Sequence, residues 1–263
     1  MNPHLRVTMI QADLAWQDAA ANRALFASHF RGLVGHTDLI VLPEMFTSGF
    51  TMEAEACAES MDGPTVEWLR EEAVALGCAI TGSLIVRDGE CHYNRLLWAT
   101  PDGQLQHYDK RHLFRVANEQ EHYCAGGSRL VVRHKGWRIC PLVCYDLRFP
   151  VWSRNRGDYD LLLYVANWPA RRSIAWKTLL RARAIENLAY VVGVNRIGRD
   201  GNGATYAGES AAIDFLGKVM GGDRGGDFVE TVVLDRESLV AFRNDFPAHL
   251  DADDFTLADG AGR

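Results

Sequence analysis

The sequence predicts an α/β protein, and three observations carry that reading. Strand-like and helix-like segments alternate from one end of the chain to the other, the order that builds sheets covered by helices. Two runs, Asp38-Leu-Ile-Val-Leu-Pro-Glu44 and Asp160-Leu-Leu-Leu-Tyr-Val-Ala-Asn167, are apolar at consecutive positions, as expected of strands buried on both faces. The two runs also parallel each other, each delivering a polar residue at its C-terminal end, which points to a duplicated half. No Pro/Ser-rich linker or low-complexity segment divides the 263 residues, so one domain is expected over 1–263.

In the first half, Leu5 to Ala12 reads as a strand and Ala19 to Arg31 as an amphipathic helix stopped by Gly32. Asp38 to Leu42 is the buried strand. Thr65 to Leu76 is a second helix, with Gly77 at the usual C-terminal position. Cys78 to Val86 follows as a strand. Tyr93 to Ala99 and Gln104 to Asp109 flank Pro101-Asp102-Gly103, a hairpin turn.

In the second half, Trp137 to Cys144 and Asp160 to Ala166 are strands. Ser173 to Ala189 is a helix with Trp176, Leu179, Leu180, Ala184 and Leu188 on its inner face. Tyr190 to Asn195, Ser210 to Asp214, Lys218 to Met220 and Phe228 to Leu234 complete the strands. Pro141 inside the strand before Cys144 requires an edge, a bulge or an unpaired position there. The acidic tail from Pro247 to Arg263 reads either as an arm towards a partner or as loosely ordered chain.

Composition narrows the function classes. With 48% hydrophobic and 24% charged residues the chain is ordinarily globular. A net charge of −6 argues against a sequence-independent nucleic-acid binder, which needs a basic surface. Six cysteines at 57, 78, 91, 124, 140 and 144 contain no Cys-x-x-Cys pair. They make a poor zinc, redox or disulfide pattern, so reduced cysteines in a cytoplasmic setting are expected. The N-terminus enters strand-like residues without an apolar signal stretch, and no segment reaches the length of a membrane span.

The chemistry gathers at strand ends, where α/β enzymes place their sites. Cys140-Pro-Leu-Val-Cys144-Tyr-Asp-Leu-Arg-Phe-Pro150 ends a hydrophobic strand on a thiol and follows it with a polar, Pro-stopped turn. A thiol is a nucleophile only where a base or cation favours its thiolate. Leu39-Ile-Val-Leu-Pro-Glu44 ends on a carboxylate, and Leu105-Gln-His-Tyr-Asp-Lys110 ends on an amine. Each has an ordinary alternative: Cys144 a small buried hydrophobe, Glu44 an internal ion pair, Lys110 a solvated surface group. A Cys–His pairing is open through His107, His112 or His122, though no local motif ties them to Cys144.

Leu-Pro-Glu44, Asp-Lys110-Arg-His-Leu-Phe and Cys144-Tyr-Asp-Leu-Arg-Phe-Pro resemble, in order, the three signature segments of the nitrilase superfamily of carbon–nitrogen hydrolases. Arg181-Ala-Arg-Ala-Ile-Glu186-Asn187, Val194-Asn195-Arg196 and Gly208-Glu-Ser210 extend the resemblance over nearly the whole chain. Asp-Lys-Arg-His-Leu-Phe-Arg115 and Asn167-Trp-Pro-x-x-Arg172 look most like its omega-amidase branch, similar to bacterial 2-oxoglutaramate amidase.

The resemblance implies a four-layer α-β-β-α sandwich that pairs across a two-fold axis into a homodimer. It also implies a Glu44–Lys110–Cys144 triad with Glu119 as a second glutamate, Glu121 being the rival for that role. Tyr145 would lend its backbone N–H to an oxyanion hole, and Trp168 would line the pocket or else merely cap the sheet. Asp146 and Arg148 would brace the nucleophile turn, while Arg183, Glu186 and Asn187 read as satisfied buried polar groups. The implied activity is hydrolysis of the terminal amide of a short dicarboxylic or 2-oxo-dicarboxylic monoamide, with no metal or organic cofactor. A cation must then meet the distal carboxylate, and Arg115, Arg171 and Arg172 are candidates. An N-carbamoyl amide hydrolase or nitrilase on the same triad, and a non-catalytic binding protein of the same fold, are the competing readings.

Overall fold

The computed structural model describes residues 3–257, so the last six residues of the acidic tail lie outside the described residues. The chain runs β1 (His4–Gln11), α1 (Ala19–Phe30), β2 (Leu39–Val41), α2 (Ala54–Cys57), α3 (Pro64–Leu76), β3 (Ala79–Asp88), β4 (Cys91–Ala99), β5 (Leu105–Asp109) and α4 (Glu119–His122). The second half runs β6 (Val132–His134), β7 (Trp137–Val143), α5 (Pro150–Ser153), β8 (Leu161–Ala166), α6 (Ser173–Asn187) and β9 (Tyr190–Asn195). It closes with β10 (Ile197–Arg199), β11 (Thr205–Ala207), β12 (Ser210–Ile213), β13 (Val219–Arg224), β14 (Phe228–Asp235) and α7 (Arg236–Asp245).

Two six-stranded sheets result, in the orders β14-β1-β2-β3-β4-β5 and β13-β12-β9-β8-β7-β6. Each is built around a parallel trio, β1-β2-β3 in one and β7-β8-β9 in the other. One antiparallel strand flanks each trio on its first side, β14 or β6. Two flank the other side, β4 with β5 or β12 with β13. The halves are therefore topological repeats, and the matching strands β2 and β8 are those whose sequences parallel each other.

Strand alternation sets the layers. Leu39 and Val41 of β2 point inward and share a core with Ile139 and Val143 of β7. Ile40 and Leu42 point outward against Phe26 and Phe30 of α1 and Val66 and Leu69 of α3. On the far side α6 lies so close to β9 that a Cβ at Gly193 would stand 2.7 Å from Leu180 and 2.9 Å from Trp176. The order helix, sheet, sheet, helix is the expected α-β-β-α sandwich.

Local chemistry ends these elements where the sequence places them. Asp18 caps α1 by accepting the Ala21 N–H, and Gly77 closes α3 in the left-handed region at φ 64°. Pro141 sits where β7 has lost one neighbour, because β6 pairs only as far as Ile139. N–H directions alternate along a strand, and the Val143 N–H, on the same side as Pro141, turns to the Asp146 carboxylate instead of a strand. The absent proline donor therefore faces a local edge.

Several expectations need correction. Cys91 and Cys124 form a disulfide with Cα atoms 5.8 Å apart, against the expected reduced set. The β3–β4 hairpin carries Cys91 to a segment 33 residues away, docked by the Cys124 N–H on the His92 carbonyl, a meeting that spacing alone does not encode. Arg183 and Asn187 are buried as expected, but Glu186 is exposed and accepts from Arg183 at 2.9 Å. Helix α7 went unforeseen because only Leu239 among its residues is buried. It is anchored by polar contacts, with Arg243 donating to Asp160 at 2.9 Å and to the Tyr159 carbonyl at 3.0 Å. Among the described residues no helix is long and apolar enough to cross a membrane.

Candidate active site

The two equivalent strand ends meet across the sandwich. Pro43, which lacks an N–H, follows β2 and releases the chain into a turn with Met45 at φ 41°. Ser83 of β3 holds that turn, its hydroxyl accepting the Met45 N–H and its carbonyl the Phe46 N–H, both at 2.9 Å. Glu44 is thereby delivered to the interior with no exposure. From the other sheet, the Asn167 N–H donates to Glu44 Oε2 at 2.8 Å and the Asn167 amide donates to the Glu44 carbonyl at 2.5 Å.

Lys110 arrives from the end of β5. Its N–H donates to the Asn94 carbonyl of β4 and its carbonyl accepts from Gly126, both at 3.0 Å. Gly126 is required there, since a Cβ would fall 2.1 Å from the Asp109 carbonyl oxygen. Lys110 Nζ donates to Glu44 Oε1 at 3.0 Å and to both Glu119 oxygens at 2.9 Å. Asn94 also donates to Glu44 Oε1 at 2.7 Å, and the Phe114 N–H to Glu119 Oε2 at 2.5 Å. Glu119 is fully buried while Glu121 is exposed, which decides between the two rivals for the lysine contact.

Burial works against the Lys110 charge, but the Glu119 and Glu44 carboxylates outweigh it and raise the ammonium above the usual lysine range. Glu119 itself is raised, burial prevailing over the stabilising Lys110. Three ionisable groups therefore share one dry space, held by six directed hydrogen bonds to the two carboxylates. A seventh bond, to the Glu44 main-chain carbonyl, fixes the residue rather than its charge.

Cys144 does not end strand β7 as expected; it opens the tight turn Cys144–Arg148 that follows. Its φ of 43° is unusual for a side-chain-bearing residue and turns the thiol out of the sheet plane. The thiol faces the Glu44 carboxylate and the Asn167 N–H. Burial, then the neighbouring Glu44 charge, push it well above the usual thiol range, against the smaller pull of Lys110. The resting arrangement is a neutral thiol beside a carboxylate able to receive its proton. That differs from a preformed thiolate beside a cation.

One pocket opens onto this thiol. Lys110, Cys144, Tyr145, Asn167 and Trp168 line one end, with Phe50, Phe114, Arg148, Arg172 and Tyr206 around the rest. Lys110 Nζ stands 5.1 Å from the Phe50 ring centre. The Arg172 guanidinium lies 5.1 Å over Phe114, and Arg148 lies 5.1 Å over Trp168. Arg172 Nη1 is buried and has no hydrogen-bond partner. Burial and the nearby Arg171 and Arg148 charges lower the Arg172 pKa, which marks a place short of negative charge. Arg115 and Arg171 do not line this pocket.

His112 is committed elsewhere: its Nδ1 lies 2.7 Å from Asp146 and its ring stacks on Phe149 with centres 3.8 Å apart. His107 and His122 are exposed and do not line the pocket. Asn94, Phe50 and Tyr206 were not anticipated; the legible signal for Asn94 was an amide in the strand segment Tyr93 to Ala99. Among the described residues no cluster of His, Cys, Asp and Glu could hold a metal ion.

Comparison with known proteins agrees with this geometry. The carbon-nitrogen hydrolase family profile matches residues 6–244. The chain is 49% identical to the omega-amidase YafV of Escherichia coli K12, over 97% of this chain and 99% of that one. It is 35% identical to the 2-oxoglutaramate amidase of Bacillus subtilis, over 70% and 73% of the two chains. Among solved structures, XC1258 of Xanthomonas campestris, a CN-hydrolase superfamily protein with an arsenic adduct in its active site, superposes with a TM-score of 0.95. It is 54% identical over 97% of this chain and 99% of its own. Nit3 of Saccharomyces cerevisiae, at 24% identity over 93% and 95% of the two chains, shares the fold with a TM-score of 0.85. Shared fold, matched profile and full-length similarity place this chain in the carbon-nitrogen hydrolase family of the nitrilase superfamily.

Proposed function

We propose that this protein is an omega-amidase, hydrolysing the terminal amide of a short dicarboxylic or 2-oxo-dicarboxylic monoamide such as succinamate or 2-oxoglutaramate. One observation carries the reading: a single pocket is lined by Cys144 and by Lys110, which is bonded to Glu44, and also by Arg172, whose guanidinium keeps one buried nitrogen unpartnered. An amide bearing a carboxylate at its far end satisfies both. The E. coli and B. subtilis relatives support the same substrate class.

In this mechanism the Cys144 sulfur attacks the amide carbon while Glu44 takes the thiol proton. Lys110 Nζ and the Tyr145 main-chain N–H hold the developing oxyanion, worth several kcal/mol where water is excluded. The C–N bond then breaks, Glu44 returns its proton to nitrogen, and ammonia leaves a thioester. Glu44 next deprotonates water, which adds to the thioester; the C–S bond breaks and the thiol recovers its proton. Glu119 keeps Lys110 aimed, Trp168 walls the acyl chain, and Arg172 receives the distal carboxylate.

Pairing of two copies belongs to the same proposal. Ile174 and Ile185 lie on one exposed face of α6, and Leu216 is exposed beside Gly217, whose Cβ would touch Ile185. A single-chain mass by sedimentation equilibrium would remove the pairing. A cytoplasmic setting is proposed because the nucleophile must stay reduced; fractionation of the native cell tests it.

The direct experiment measures ammonia release from 2-oxoglutaramate, succinamate, butyramide, an N-carbamoyl amino acid and a simple nitrile, with Cys144→Ala as control. Strong turnover of the first two, abolished in the control, is expected. Preference for the carbamoyl compound or the nitrile would overturn the substrate class.

Arg172→Ala should raise KM for succinamate about 10- to 100-fold, since a hydrogen bond to a charged group is worth about 1.5–3 kcal/mol. Butyramide, which lacks the distal charge, should change little. Equal losses on both substrates would show that Arg172 does not read the carboxylate.

Because Cys144 is raised, its thiolate forms only at high pH. Iodoacetamide labelling at Cys144 should keep accelerating beyond about pH 8.5, the ordinary thiol value. A rate plateau near neutrality would reveal a preformed thiolate and contradict general-base activation by Glu44.

A further inference from the structure

Asp146 lies two residues beyond Cys144, fully buried, and four donors converge on it. The Tyr108 hydroxyl and the Val143 N–H bind Oδ2 at 2.7 and 3.1 Å. The His112 N–H and its ring Nδ1 meet Oδ1 at 3.0 and 2.7 Å. Through Val143, this carboxylate fixes the residue immediately before Cys144. Through His112, it fixes the residue two positions beyond Lys110.

We propose that His112 is a positioning residue: its Nδ1–H···Asp146 bond locks the nucleophile turn and the lysine segment to one carboxylate, setting Cys144 and Lys110 in register. The ring does not reach the chemistry itself. It is sandwiched into place by Phe149, nearly parallel at 7°, with Trp152 edge-on at 6.2 Å between centres. A donor so held is preorganised, and Asp146 needs it, because a buried carboxylate that loses a donor is free to turn towards another. Any such turn passes directly into the backbone that holds Cys144 at positive φ. The consequence falls on the rate of covalent attack and leaves substrate affinity nearly unchanged, since His112 does not line the pocket.

This inference rests on Cys144 acting as the nucleophile. The test compares wild type, His112→Phe and His112→Asn in the full chain. Phenylalanine keeps the stack on Phe149 and lacks the donor; asparagine keeps a donor at the Nδ1 position and lacks the stack. His112→Phe should lower kcat on succinamate about 10- to 100-fold, the scale set by small misplacements of reacting groups. KM should hold within about threefold, and peptide-mapped iodoacetamide labelling of Cys144 should slow as well. His112→Asn should recover most of both losses. Wild-type behaviour in His112→Phe, equal impairment of the two variants, or a loss confined to melting temperature would overturn the role. If wild type releases no ammonia from any amide, the substrate reading fails, and the labelling rates still decide the place of His112.

Discussion

Lys110 Nζ lies within 3.0 Å of Glu44 and 2.9 Å of both oxygens of Glu119, and all three side chains are shut away from water. Two carboxylates and one ammonium in a dry interior carry an excess negative charge. That excess is tolerable only because amide and backbone donors are aimed at it. Burial first, and the Glu44 charge second, favour the protonated Cys144 thiol at rest. Lys110 and Glu119 each move the other's proton affinity, so these two partners are coupled.

The sandwich exists to hold that unit together. Its four parts come from four different segments: the ends of β2 and β5, helix α4, and the turn after β7. Duplicated sheets bring the equivalent ends of β2 and β8 face to face, and the Asn167–Glu44 bonds tie one half to the other. Two of the eight non-glycine residues at positive φ among the described residues, Met45 and Cys144, stand in the same region. Rigid strands behind each turn supply the restraint that keeps both residues in the left-handed region. The pocket in front of them adds the half-buried Arg172, proposed to meet the far end of a small acid through its unpartnered nitrogen.

Much of this was legible in the chain. Consecutive apolar residues at Leu39–Val41 and Leu161–Ala166 announce strands buried on both faces, and Gly77 and the Pro101-Asp102-Gly103 turn end their elements as local chemistry requires. Glu44, Lys110 and Cys144 were visible as reactive groups at strand ends, and the structure brings them to one place. Less local features were hidden. The Cys91–Cys124 pairing and the choice of Arg172 among three arginines depend on which segments meet across 33 or more residues or face one pocket. Helix α7 shows only a short apolar face, Leu239 with Phe242 stacked on Phe215, and is also held by Arg243 on Asp160. His112 looked like a rival base, and only its stacking on Phe149 and its bond to Asp146 show it turned to another task.

The proposed task of this charge cluster is to make and break a bond between carbon and the Cys144 sulfur. Rapid acid quenching of the wild-type enzyme during succinamate turnover, followed by peptide mapping, addresses it directly. A succinyl thioester is expected on the peptide carrying Cys144, formed before ammonia release is complete and absent in Cys144→Ala. Full turnover with no acyl adduct under conditions that preserve thioesters, or an adduct on another residue, would contradict it.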